Sequence, residues 1–174
     1  SFVEREDVLE LVERMFIKMV EVLYPNKKIQ EIPFPRIPYK EAMEKYNSDK
    51  PDLRKDKNDS NILAFCWIID FPFFEKTEDN KWTFVHNPFS AQKEEFIPDV
   101  LAKKNIDKIV ANQYDIVLNG MELASGGIRS HNPEVLEKVF EIMGYEKEEI
   151  WEKFGHMLTA FQYGTPPHGG IAPG

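Results

Sequence analysis

Asp115 and Glu122 stand on either side of Asn119-Gly120. Asn-Gly between two apolar runs, here residues 114–118 and 121–123, predicts a hairpin with a two-residue turn. With those two residues as the turn, Val117 faces Glu122 across the ladder and Asp115 faces Ala124. Asp115 and Glu122 then lie diagonally on one face, within reach of a common ligand. Two carboxylates so placed suit a divalent cation, and Mg2+ held by one or two carboxylates usually also holds phosphates. Two solvated sheet carboxylates would show the same spacing. Ser125-Gly126-Gly127 follows directly, and glycine inside a strand marks a bulge or a close backbone approach to a ligand. Strict alternation turns Arg129 away from Glu122, whereas a bulge at the glycines would bring it to the same face. An arginine in a cleft reads a carboxylate with two parallel hydrogen bonds; an exposed arginine with no ligand is the other reading. His86-Asn87-Pro88-Phe89 is a polar loop after a strand, and a lone histidine there is weak evidence for chemistry. Pro166-Pro167-His168-Gly169-Gly170 is a stiff, then flexible loop that suits either a nucleotide or a plain connection. No Ser-His-Asp order, P-loop or dinucleotide fingerprint stands out.

These residues need a scaffold. The chain has 174 residues, about one domain by length, enough to bury roughly 70% of its unfolded surface without metal or disulfide staples. Lys and Arg number 22 and Asp and Glu 30, a net charge of -8. That excludes a binder held to nucleic acid by a large basic excess and leaves open a small local patch. Hydrophobic content of 42% and a mean hydropathy of -0.46 read as a soluble globular chain. The single cysteine, Cys66, excludes a disulfide framework and a Cys-rich zinc site, and fits the cytosol. No apolar run reaches transmembrane length. The opening Ser1-Phe2-Val3 lacks Met, and residues 169–174 read as a glycine-rich loop with nothing to lead into. Both ends are therefore expected to be cut from a longer chain.

Along the chain, Val8, Leu11, Val12, Met15, Met19, Val22 and Leu23 recur at helical spacing and predict a core-packed helix over 7–24. Asp7 and Glu10 would form its capping box. Pro33, Pro35 and Pro38 argue for an extended edge segment. A short helix is expected over 40–46, then a polar loop or junction over 47–61. Residues 63–71 read as a buried strand and 82–86 as the next, after a turn at 78–80. Pro98 weakens the helical pattern of 94–105. Asn132-Pro133 opens a helix that runs to about residue 143, ended by Gly144. A last helix spans 147–163, with Ile150, Trp151, Phe154, Met157, Leu158 and Phe161 on its apolar face and Gly164 as its stop. Hairpin strands mixed with helices, without βαβ alternation, predict an α+β fold on an antiparallel sheet flanked by helices.

Taken together, FPRIPYKEAMEKYNSDKPDLR, FCWIIDFPFFE, HNPFSA, YDIVLNGMELASGGIRSH and YGTPPHGGIAPG resemble the bacterial-type aspartyl-tRNA synthetases, a branch of the class II aminoacyl-tRNA synthetases. The blocks occur in the family's order and cover most of the chain. The resemblance implies an antiparallel, six-stranded-type sheet flanked by helices, here a partial class II catalytic core in one partial domain over 1–174. It implies an aspartate–tRNA ligase that activates L-aspartate with ATP to aspartyl-adenylate and transfers the aspartyl group to tRNA. Mg2+ would be the cofactor, the cytoplasm the location and a homodimer the state of the parent, with no membrane or DNA partner. Carried over by motif, Glu122 would hold ATP through Mg2+, with Asp115 as companion ligand. Arg129 would grip the side-chain carboxylate of aspartate, and His86 would lie beside the bound amino acid. Gly126 and Gly127 would line the floor, and Gly170 and Gly174 would face the ATP. Such chemistry needs no protein nucleophile: the substrate carboxylate attacks the α-phosphorus, so the protein supplies positioning and charge stabilisation.

The departures from the family are equally definite. Its first motif, its second motif with the α-phosphate arginine, the arginine closing the third motif and the anticodon-binding barrel have no counterpart in these residues. Only residues 55–62 bridge Arg54 and Leu63, where the bacterial family carries a large inserted domain. The glycine block reads ELASGGIR where many members have three successive glycines, and Asn87 stands where many have a second histidine. The expectation is a truncated fragment, weakly active or inactive alone; the alternative is a non-catalytic synthetase-like paralogue acting as a binding module.

Overall fold

A computed structural model describes residues 1–174. In chain order the elements are α1 (Arg5–Leu23), β1 (Lys28–Ile29), β2 (Arg36–Pro38), α2 (Tyr39–Tyr46), β3 (Ile62–Leu63), β4 (Phe65–Ile69), β5 (Phe74–Lys76), β6 (Trp82–Phe84), α3 (Ile97–Ala102), β7 (Gln113–Leu118), β8 (Met121–Ile128), α4 (Pro133–Ile142), α5 (Lys147–Gln162) and β9 (Gly169–Pro173). The chain divides into two compact units. The sheet unit comprises Val3–Phe71, Gln113–Gly127 and Gly169–Gly174; the helical unit comprises Ser1–Phe2, Pro72–Asn112 and Ile128–His168.

In the sheet unit five strands lie in the order β2-β4-β7-β8-β9. β4 with β7 and β7 with β8 are antiparallel, as expected, while β2 joins β4 in parallel. β4 is buried along its whole length, which is why its sequence is a continuous apolar run rather than an alternation. Phe65, Trp67, Ile69, Tyr114 and Ile116 form one core with Leu9, Val12 and Val20 of α1. Cys66, Ile68 and Val117 face the other way, onto Ile37, Ala42 and Phe71. Burial pushes the Cys66 thiol up to about 12.

The core-packed face expected of α1 is only partly the one observed. Val8 and Val12 lie on it, with Leu9, Phe16, Ile17 and Val20. Leu11, Met15, Met19, Val22 and Leu23 are exposed, Leu11 at 60% and Val22 at 62%. Both stripes have helical period, so spacing alone does not choose between them; the sheet does. The capping box also shifts. Asp7 is the third helical residue, and its carboxylate accepts the Glu4 N–H at 2.8 Å. Glu13 is a buried charge with a full set of partners: it accepts from Phe34 N–H at 2.9 Å, Arg36 Nη1 at 2.9 Å and Trp67 Nε1 at 3.4 Å.

The turn between β7 and β8 is as predicted. Asn119 and Gly120 adopt φ of 50° and 87°, the left-handed pair that a two-residue hairpin requires. The Asn119 side chain also reaches β3, accepting from Ala64 N–H and donating to Ile62 C=O, both at 2.9 Å. Of residues 169–174, expected as a loop, Gly169–Pro173 instead form strand β9 beside β8.

The helical unit holds the β5–β6 hairpin, with Phe74 opposite Phe84, and three helices. The β5 strand went unread in the sequence because one buried residue followed by two exposed ones shows no alternation. Pro98 does not prevent α3; it sits in the first turn, where a missing N–H costs nothing. Asn132 caps α4 by accepting from Glu134 N–H and Val135 N–H. The predicted apolar face of α5 packs as read: Ile150, Trp151, Phe154, Met157, Leu158 and Phe161 meet Leu136 and Phe140 of α4. Gly164 follows α5 at φ of 104°.

Candidate functional site

The two hairpin carboxylates differ in setting. Val117 pairs with Glu122 as expected, but Ile116 pairs with Ala124 and Asp115 with Ser125. Leu123 is the extra residue, so the bulge lies there and not at the glycines. Asp115 is 2% exposed, whereas the Glu122 side chain keeps 33% exposure. Lys50 Nζ reaches Glu122 Oε2 at 3.0 Å. Its ammonium is held above the ordinary lysine range, first by the hydrogen bond to Glu122 and, more weakly, by the charges of Asp49 and Asp115. Lys50 comes from a stiff segment. Asp52 takes Arg54 Nε at 3.0 Å and Nη2 at 2.7 Å in a two-point pair, and Arg54 holds its carboxyl below the usual carboxylate range. The Gly120 turn lies against the same segment: a Cβ added there would sit 3.5 Å from Asp52 Cβ.

Sequence reading missed Lys50, because periodicity treats residues 47–61 as a polar loop. The available signal was a lone cation in a rigid Asp-Lys-Pro-Asp stretch of an acidic chain. No group of three or more His, Cys, Asp or Glu side chains that could hold a metal ion occurs in the chain.

The glycines stay in register, Gly126 opposite Tyr114 and Gly127 opposite Gln113. Their service is close approach. A Cβ on Gly126 would run into Gly170 O and would meet Tyr114 Cε2 at 2.7 Å and Ile171 Cα at 2.9 Å. Tyr114 Oη donates to Gly170 O at 3.0 Å, and Gly174 N–H donates to Leu123 O at 3.0 Å. Asp115, Glu122, Gly126, Gly127, Gly170 and Gly174 thus all belong to the sheet unit. A groove of about 660 Å³ in this unit runs between α1 and residues 31–36 and is lined by none of them.

His86 and Arg129 belong to the helical unit, and both are exposed. Backbone bonds stitch the loop after His86 to the chain around Arg129: Ser130 N–H to Phe89 O at 2.8 Å and Ala91 N–H to Ile128 O at 2.7 Å. Arg129 N–H donates to His168 O at 2.8 Å. The Arg129 guanidinium forms no ion pair; Nη1 donates to the neutral Asn87 Oδ1 at 3.1 Å. Arg129 borders a recess of about 280 Å³ lined also by Phe89, Ser130, Met157, Phe161 and His168. An unneutralised guanidinium beside an aromatic recess is suited to a carboxylate or phosphate.

The family model for class II tRNA synthetases (D, K and N) matches residues 1–174. An aspartate–tRNA(Asp/Asn) ligase of Chlorobium chlorochromatii is 50% identical over 134 residues, covering 76% of this chain and 21% of the relative. The corresponding ligase of Chlorobaculum parvum is 31% identical over 297 residues, covering all of this chain and 49% of the relative. The chain thus spans between a fifth and a half of these relatives. The solved aspartyl-tRNA synthetase of Entamoeba histolytica superposes with a TM-score of 0.63 at 19% identity, covering 99% of this chain and 36% of that one; at that identity the likeness speaks for the fold. The chain belongs to the class II tRNA synthetases of the aspartate, lysine and asparagine branch.

Proposed function

We propose that this chain is the aspartate-binding part of the catalytic core of an aspartate–tRNA ligase. The observation that carries the reading is Arg129, an exposed guanidinium with no acidic partner, anchored on a neutral amide. A side-chain carboxylate supplies the missing charge, and asparagine does not. Discrimination then follows from the cost of leaving a charged group unpaired. The names of relatives about 50% identical support aspartate as the substrate.

In this reading Arg129 grips the aspartate side chain, His86 lies beside the amino acid, and Gly126 and Gly127 form the floor. Gly170 and Gly174 face ATP. The α-carboxylate of aspartate attacks the α-phosphorus of ATP, pyrophosphate leaves, and a terminal tRNA hydroxyl then takes the aspartyl group with release of AMP. Asp115 and Glu122 are too few for a self-sufficient metal cage, but they fit Mg2+ that arrives with phosphates and needs only one or two carboxylates. Bound there, Mg2+ would offset charge on the phosphate oxygens. Lys50 would give up Glu122 Oε2 on that occasion and remain beside it as a cation.

Residues 1–174 then form one partial catalytic domain, and residues 55–62 are the junction where relatives carry an inserted domain. The Chlorobaculum parvum alignment runs over 297 positions against 174 residues here, which supports a large segment of that relative lying outside this chain. The parent would be a cytoplasmic homodimer. No helix of the chain is long and apolar enough to cross a membrane.

The test is calorimetric binding of L-aspartate and of L-asparagine to the 174-residue chain, beside its Arg129→Ala variant, with aspartate-dependent ATP–pyrophosphate exchange followed in parallel. Binding that prefers aspartate and is lost in the variant, with exchange weak or absent where the α-phosphate arginine has no counterpart, is the expected result. Binding that survives the substitution, or that is equal for asparagine, would overturn the reading.

A further inference from the structure

Asn87 does two things with one atom. Its Oδ1 accepts the Phe89 N–H at 3.0 Å and Arg129 Nη1 at 3.1 Å. The first bond is a local side-chain turn that fixes the rotamer of Asn87. The second uses the remaining lone pair of the same oxygen. The loop itself is set by the backbone: Ser130 N–H to Phe89 O, Ala91 N–H to Ile128 O and the bridge between Ser90 and Arg129. The hold on the guanidinium therefore comes from a loop that backbone bonds tie down and not from a wandering side chain.

We propose that Asn87 is the positioning residue for Arg129. It pins one edge of the guanidinium from a neutral acceptor and leaves the charge and the other donors for the carboxylate of the incoming amino acid. An acid at position 87 would pin the same edge and cancel the charge; a shorter residue would leave the arginine free among its rotamers. The inference rests on the reading of Arg129 as the carboxylate grip.

Two variants separate these roles. In Asn87→Ser the hydroxyl still accepts the Phe89 N–H, keeping the turn, but is too short to reach Arg129. In Asn87→Asp both acceptors remain. Calorimetric titration of L-aspartate into the full chain, with the 15N resonances of the Arg129 guanidinium followed without ligand, reads both effects. Unaltered protein and Asn87→Asp should show slow rotation about the Nη bonds, and Asn87→Ser fast rotation. Affinity for L-aspartate should fall roughly tenfold in Asn87→Ser, the size of one hydrogen bond to a charged group, and further in Asn87→Asp. Fast rotation in the unaltered chain, or full affinity in Asn87→Ser while Arg129→Ala loses it, overturns the role of Asn87 alone. Full affinity in Arg129→Ala overturns the grip itself and the inference with it.

Discussion

The hairpin that carries Asp115 and Glu122 and the loop that holds Arg129 are positioned by different means. β7 is bonded on both sides, to β4 and to β8, so Asp115 is set by two ladders and by burial. Glu122 follows from the turn, where Asn119 and Gly120 already supply the required φ. Arg129 lies past the end of β8, and its guanidinium is placed by one side-chain acceptor on a loop. A ladder resists substitution of surface side chains and yields to anything that separates strands. A loop-held arginine should behave the other way, tolerating changes in fold energy and failing in ligand binding.

The largest effect should therefore come from forcing strands apart. Gly126→Val places atoms against Gly170 O and Ile171 Cα, which are backbone and cannot swing away. A loss of about 3 kcal/mol or more is expected, seen as a lower urea midpoint. Gly174→Ala, where nothing lies within 4 Å, should leave the midpoint unchanged. Equal behaviour of the two would mean that β9 does not hold the sheet unit as described.

Arg129→Ala should show the opposite signature. The side chain is exposed and makes no ion pair, so the urea midpoint should not move. Binding of L-aspartate should fall by about a hundredfold, the order expected when a two-point charged contact is lost. A shift in stability comparable to that of Gly126→Val would erase the contrast between the two regions.

Asn119→Gly lies between these extremes. It keeps the left-handed backbone but gives up the bonds to Ala64 N–H and Ile62 C=O. The expected cost is about 1–2 kcal/mol, with hydrogen exchange rising first at Ala64. An unchanged exchange rate at Ala64 would show that β3 does not depend on the turn.

What the sequence disclosed follows the same division. Asn119-Gly120, Asn132-Pro133 and Gly164 were legible because their chemistry is local: a positive φ, a cap, a helix stop. The buried run of β4 was legible from its unbroken apolar stretch, and the apolar face of α5 from its period. The bulge at Leu123 was not, because an apolar residue in a strand carries no mark that it is the unpaired one. Nor was β9, whose glycines and prolines spell a loop; it becomes a strand through Tyr114 and Leu123, far away in sequence. The stripe of α1 was misjudged in phase because two apolar stripes share the helix and only the sheet selects one. Lys50 and the Asn87–Arg129 contact escaped for one reason: each joins side chains from separate segments, and no spacing rule connects them.

The smallest effect concerns Lys50. Its ammonium is held above the ordinary value of 10.5, chiefly by the hydrogen bond to Glu122. A group whose pKa is raised on folding contributes stability fully below its unfolded value and loses it as pH rises through the folded one. The contribution should thus be constant through neutral pH and disappear only in alkali beyond 10.5. Lys50 is 45% exposed, so the pair is screened and Lys50→Met should cost less than about 1 kcal/mol, shrinking further with added salt. Yet the same substitution removes the cation beside Glu122, in the segment stiffened by Asp52 and Arg54. If that segment serves the ligand and not the fold, unfolding at pH 7 will scarcely register Lys50→Met, while binding of ATP with Mg2+ will fall clearly. A stability loss as large as that of Asn119→Gly would instead make Lys50 a strut of the hairpin.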